Sequence, residues 1–200
     1  MNISSLEKAR SRLRAAKRAV DAMAGTDDPN TICDHWIDFL NAWIGVYRQV
    51  KKAATSTPQE YQWFGRVARE KTNDPLLNYV FEARNDEEHG VNRSAVPHYG
   101  LANFPQRSHE TVIASVRFDP GTGEVRVYGP DGQLAYDPVL VSPPGVVLDP
   151  ITARGNRTIA PPTFHLGDPI NPDVLTVAKA ALVYAAKLVA MAEAMHTPSQ

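Results

Sequence analysis

The sequence predicts a mainly α-helical fold: a bundle of four to five helices with a β-meander inserted before the last one. Three observations carry that expectation. Apolar residues recur every three or four positions through residues 1–92 and again through 171–196. Between them, residues 93–170 are rich in proline, glycine and β-forming residues. The 200 residues are 43% apolar and 22% charged, enough core for one domain carrying an elaboration and too apolar for a disordered chain.

The first helix shows a single apolar stripe of Leu6, Ala9, Leu13, Ala16, Val20 and Met23. Ser4 or Ser5 is its expected cap, and Gly25 its expected end. Asp27-Asp28-Pro29-Asn30 reads as a turn. A second helix is expected from about Thr31 to Ala53. Its stripe of Ile37, Leu40, Ile44 and Tyr47 is widened by Trp36, Phe39, Trp43 and Val50, which implies contact on more than one side. Arg48, Lys51 and Lys52 gather at its C-terminal end, where the helix dipole favours cations. Thr57-Pro58-Gln59-Glu60 predicts a capped third helix with proline at its first position, and Asn73-Asp74-Pro75 restarts the chain as a fourth.

Beyond Gly90 the period changes to two. Thr111 to Phe118, Glu124 to Tyr128 and Gln133 to Tyr136 read as a three-stranded meander joined at Asp119-Pro120-Gly121 and Gly129-Pro130-Asp131-Gly132. Thr163 to Leu166 is a candidate fourth strand. The final helix is expected to start at Asn171-Pro172-Asp173, with Asn171 as cap and Pro172 at the first position. Its stretch Val174 to Met195 is the most membrane-like in the chain. Lys179, Lys187 and Glu193 interrupt it, so a buried or interface helix is expected and no membrane partner.

Composition narrows the function. The net charge is −1, so nucleic-acid contact must be local. The single cysteine, Cys33, forms no intramolecular disulfide, and no Cys-His metal spacing is present, which points to a reducing, cytoplasmic setting without a metal or other cofactor. The first helix, with Lys8, Arg10, Arg12, Arg14, Lys17 and Arg18, lacks the apolar core of a signal peptide. No Gly-x-Ser-x-Gly, phosphate-binding glycine loop or His-Glu-x-x-His is present. Asp34-His35 sits in the first turn of the second helix, where a carboxylate complements the dipole. His98, His109 and His165 lack the spacing of a metal pair and receive no role.

The most informative stretch is Arg84-Asn85-Asp86-Glu87-Glu88-His89-Gly90. Arg84 continues the apolar stripe of Leu77, Val80 and Phe81, where a guanidinium requires an anion. His89 follows at the helix end, so a fixed cation, an amide and a titratable imidazole share one site suited to phosphate chemistry near neutral pH.

An Arg-x4-His motif with asparagine after the arginine, at the end of a helix in a four-helix pattern, resembles the HEPN superfamily. The resemblance covers residues 1–92 and 171–196, leaving 93–170 as an insertion on which it is silent. It implies a metal-independent endoribonuclease acting as a homodimer, with RNA as substrate and an antitoxin or regulatory protein as a further partner. By that resemblance His89 handles the proton of a ribose 2′-hydroxyl or of the leaving oxygen, Arg84 holds the scissile phosphate, and Asn85 orients phosphate or imidazole. Val91 stands where some members carry a tyrosine modified by a partner enzyme, so that control is not expected. The basic residues Lys8, Arg12, Arg14 and Arg18 are the expected local source of field for RNA. The alternative is a non-catalytic scaffold of the same fold that binds protein or nucleotide. The two differ in Arg84: open to a shared cleft for chemistry, or locked to an acid of its own chain in a scaffold.

Overall fold

The computed structural model describes residues 1–89, 93–98, 112–119, 123–141, 145–153 and 155–196. It is mainly helical, with small antiparallel strand pairs before the last helix. The chain divides into two compact units: Met1–Pro97 with Val146–Gln200, and His98–Gly145. Residues 146–170 therefore belong with the helices.

In the helical unit, α1 (Ile3–Ala24) and α2 (Pro29–Ala53) pack along each other, and α5 (Val174–His196) lies against both. The predicted stripe of α1 is buried except for a half-buried Leu13. Its cap is Asn2, whose side chain accepts from the Ser5 N–H at 2.9 Å, so the serines sit inside the helix they were expected to start. Asp28 caps α2, Pro29 takes the first position, and the expected turn becomes the helix start. The width of α2's apolar surface has its reason: it touches α1, α4 and α5.

α3 (Pro58–Asn73) opens on the predicted Thr57 cap, while Glu60 accepts from the Ser56 N–H at 2.8 Å. Burial pushes the Glu60 carboxyl up, but the Met1 ammonium at 2.5 Å and backbone N–H donors outweigh it and hold it below the ordinary value. α4 (Pro75–His89) buries Leu76, Leu77, Tyr79, Val80 and Ala83 within its own bundle. The apolar face leading to Arg84 is thus spent inside the helical unit, leaving α5 as the exposed apolar helix, with Val183 and Met191 outermost.

α5 is long and apolar enough to cross a membrane by length and composition. Val177, Ala178, Ala181, Ala185 and Leu188 are nevertheless buried, and the interrupting Lys179 and Lys187 lie on the exposed side. Asp173 is the cap, its carboxylate accepting from the Thr176 N–H at 2.8 Å, so Asn171 and Pro172 precede the helix.

Also in this unit, save for His98 and Gly145 at their ends, β1 (Ala95–His98) neighbours β5 (Gly145–Leu148); β6 (Ile151–Ala153) pairs with β7 (Arg157–Ile159), and β8 (Phe164–His165) with β9 (Asp168–Pro169). The expected fourth strand therefore forms its own hairpin outside the meander. In the second unit, β2 (Ser115–Asp119) pairs with β3 (Glu124–Tyr128), as predicted. The third strand is β4 (Val139–Leu140). Gln133 to Tyr136 contributes only the bridge Tyr128–Leu134, because β4 pairs with Glu124 and Val125 of β3.

Candidate functional site

Arg84 lies near the end of α4 with a side chain only 14% exposed. The anion its position demands is Glu88, one turn later: both terminal nitrogens donate to that carboxylate, Nη2 to Oε1 at 2.9 Å. The buried Nε has no hydrogen-bond partner among the described residues. Asn85 donates to Glu82 at 3.2 Å. His89 is the last residue of α4, and its side chain lies outside the described residues, as do Gly90 and Val91.

The three acids between Arg84 and His89 are structural. Glu87 accepts from the Ser94 N–H at 2.6 Å and its hydroxyl at 2.7 Å. That hydroxyl in turn accepts from the Trp36 indole at 2.9 Å, so the buried serine is fully satisfied. Asp86 accepts from the Thr152 N–H at 3.4 Å. Tyr79, whose hydroxyl is held well above the ordinary tyrosine range by burial, donates to the carbonyls of Ser94 and Asp149. Asp86 and Glu87 thus fasten the end of α4 to β6 and to Ser94, the residue before β1.

Arg84 also lines an open trough of about 710 Å³ formed chiefly by α2, with Arg12 of α1 beside it. Arg12, Arg48, Lys51 and Lys52 line it together with Arg84. A second depression of about 490 Å³ adds Lys8 and Arg18 from α1, and the two share Arg12 and Gln49. Among the described residues no carboxylate lines either depression, and none of the α1 and α2 cations in them forms an ion pair. Elsewhere on α1, Arg10 meets Glu193 at 2.5 Å and Lys17 meets Asp21 at 2.7 Å, while Arg14 has no ion pair among the described residues. Unanswered positive charge in a concave seam attracts and concentrates anions.

The chain matches no family model, no curated protein and no solved structure.

Of the four α1 cations expected to meet RNA, Lys8, Arg12 and Arg18 line the seam. Arg14 is exposed and is not among the lining residues, being two positions and about 200° round the helix from Arg12. The α2 cations Arg48, Lys51 and Lys52 join the same trough. Their spacing carried the signal, since i, i+3 and i+4 share a helical face, but the dipole explained them without a site. His35 meets Asp38 at 3.8 Å on the helix surface and does not converge with the motif. Cys33 is buried, and burial pushes its thiol up to about 11, so it is a core residue and no nucleophile.

His165, given no role from sequence, is held by Asp74 at 3.1 Å. No sequence spacing relates residues that far apart.

Proposed function

We propose that this protein is a cytoplasmic, metal-independent endoribonuclease of the HEPN type that works as a homodimer. Arg84, Asn85 and His89 are its catalytic set, and the basic trough is the approach for RNA. The observation that supports this is the position of Arg84, a side chain only 14% exposed that lines a trough whose other cations meet no described acid.

The chemistry follows from those groups. His89 takes the proton of a ribose 2′-hydroxyl, and the 2′-oxygen attacks the adjacent phosphorus. The bond to the 5′-oxygen breaks, and that oxygen leaves with a proton returned by an imidazole, giving a cyclic phosphate and a free 5′-hydroxyl. Arg84 offsets charge on the phosphoryl oxygens once the phosphate replaces Glu88 on its outer nitrogens. The exposed face of α5, with Val183 and Met191, is the surface for the second protomer. An antitoxin or regulatory protein completes the expected partners.

The test is cleavage of an all-ribose strand in EDTA. Wild-type protein cleaves it, and His89→Ala loses about a hundredfold in rate. A requirement for a divalent ion, or unchanged rates in the variant, defeats the mechanism. The Arg84–Glu88 pair supports a second reading, a non-catalytic HEPN-like scaffold in which the arginine is committed to its own helix. In that case wild-type protein binds RNA or nucleotide and cuts neither.

A further inference from the structure

We infer that the seam between α1 and α2 is a track that grips the sugar–phosphate backbone of a nucleic acid strand without reading its bases, and that Gly45 seats its central cation, Arg12. The inference rests on the nucleic-acid part of the reading above and is independent of cleavage.

Charge is the first support. The two depressions are one feature, because Arg12 and Gln49 line both. From Lys8 to Arg18 the track runs about 15 Å along α1, at 1.5 Å per residue. Six lysines and arginines of α1 and α2 line it without an ion pair among the described residues, beside Arg84, which Glu88 neutralises, although the whole chain carries −1. Crowded like charges repel, and Arg10 and Lys17 show that this helix takes acidic partners where they are available. A repulsive array without internal neutralisation fits a polyanion laid along it.

The lining chemistry is the second. No aromatic ring is among the residues lining either depression, so bases have no platform on which to stack. Ser11, Asn41, Gln49 and Thr55 stand among the cations and suit phosphate and sugar oxygens.

The third is Gly45, in the middle of α2, where glycine weakens a helix relative to alanine. A Cβ there would come within 2.9 Å of Arg12 Cδ and 3.0 Å of its Cγ. The Arg12 side chain therefore passes over Gly45, and a methyl group there displaces it from the place it takes in both depressions.

The test uses a fluorescein-labelled, mixed-sequence 2′-O-methyl oligonucleotide, whose blocked 2′-oxygen separates binding from cleavage. Affinity is read by anisotropy in EDTA from about 50 to 200 mM KCl. Arg12→Ala and Lys51→Ala each weaken binding by about tenfold and reduce the salt slope by about 0.7. Gly45→Ala weakens it by about threefold and leaves the protein folded by circular dichroism. Arg14→Ala, the same charge change on the same helix outside the track, alters neither affinity nor slope. Oligo-U and oligo-A of equal length bind alike.

Three results overturn the track: Arg14→Ala costing as much as Arg12→Ala, a strong preference for one homopolymer, or polyglutamate displacing the probe as effectively as unlabelled RNA. The nuclease reading fails separately. Binding that follows this pattern, with an all-ribose strand left intact, sinks the nuclease and keeps the track. Wild-type cleavage and binding by Arg12→Ala do the reverse.

Discussion

Trp43→Ala lowers the unfolding free energy by about 3–5 kcal/mol, a large share of what a domain of this size possesses. Trp43 is 1% exposed, at the contact between α2 and α5. Its ring stacks on Tyr47, with centroids 6.3 Å apart and planes 11° from parallel. Its indole N–H donates to the Ala181 carbonyl of α5 at 2.9 Å. Truncation removes the buried ring, leaves a cavity among residues fixed in helices, and cuts a bond joining positions 138 residues apart. Trp43→Phe keeps most of the ring and loses the bond, so it costs about 1–2 kcal/mol. Urea denaturation measures both, and at about 2–4 °C per kcal/mol the alanine variant melts roughly 10 °C lower. A loss below about 1 kcal/mol in Trp43→Ala would mean that α5 does not dock here.

That contact was half legible in the sequence. Period three and four placed Trp43 on a wide apolar helix and Ala181 on another, because burial on a helix leaves a local signature. Nothing local says that these helices meet, since the pairing depends on a chain path through the whole β-rich segment. The caps show the same division. Thr57 was readable because proline follows it at the first helical position. Asn2 and Asp173 lie two or three residues from the expected caps and Asp28 falls in what reads as a turn, because several Ser, Asp and Asn residues near each start compete for the cap. In the meander, the pattern of Gln133 to Tyr136 looked as strand-like as that of Val139–Leu140. Pairing with β3 selects between them, and pairing is a long-range property.

The candidate site divides along the same line. Arg84 was legible because a guanidinium on an apolar stripe breaks the local pattern. The roles of Asp86, Glu87 and Glu88 were not, since two of them are answered by Thr152 and Ser94 in other elements. Lys8, Arg12 and Arg18 could be read from one helix, but the trough needs α2 beside α1 and the gap at Gly45. A seam between elements is invisible while each element is read alone.

Asp74→Ala costs about 3 kcal/mol, more than an ordinary helix cap, because this carboxylate serves both α4 and the β8–β9 hairpin. It caps α4 by accepting from the Leu77 N–H at 2.9 Å, while its own N–H ends α3 by donating to Glu70 at 2.9 Å. Its second oxygen accepts from the Leu166 N–H at 2.6 Å, and His165 meets its first at 3.1 Å. Leu166 has a φ of 51°, a left-handed conformation costly for leucine, followed by Gly167 at 94°. That turn between β8 and β9 aims the Leu166 N–H at Asp74. The side chain of Asp74 is 5% exposed, so water cannot easily replace what is removed. Asp74→Asn separates the roles: one amide oxygen can cap α4, while the amide NH₂ faces the Leu166 donor. It costs about half as much as alanine in urea denaturation. Hydrogen exchange at the Leu166 amide accelerates in both variants, while amides in the middle of α2 follow only the global loss. Equal stability of wild type and Asp74→Asn, with unchanged exchange at Leu166, would show that the hairpin is held by something other than this carboxylate.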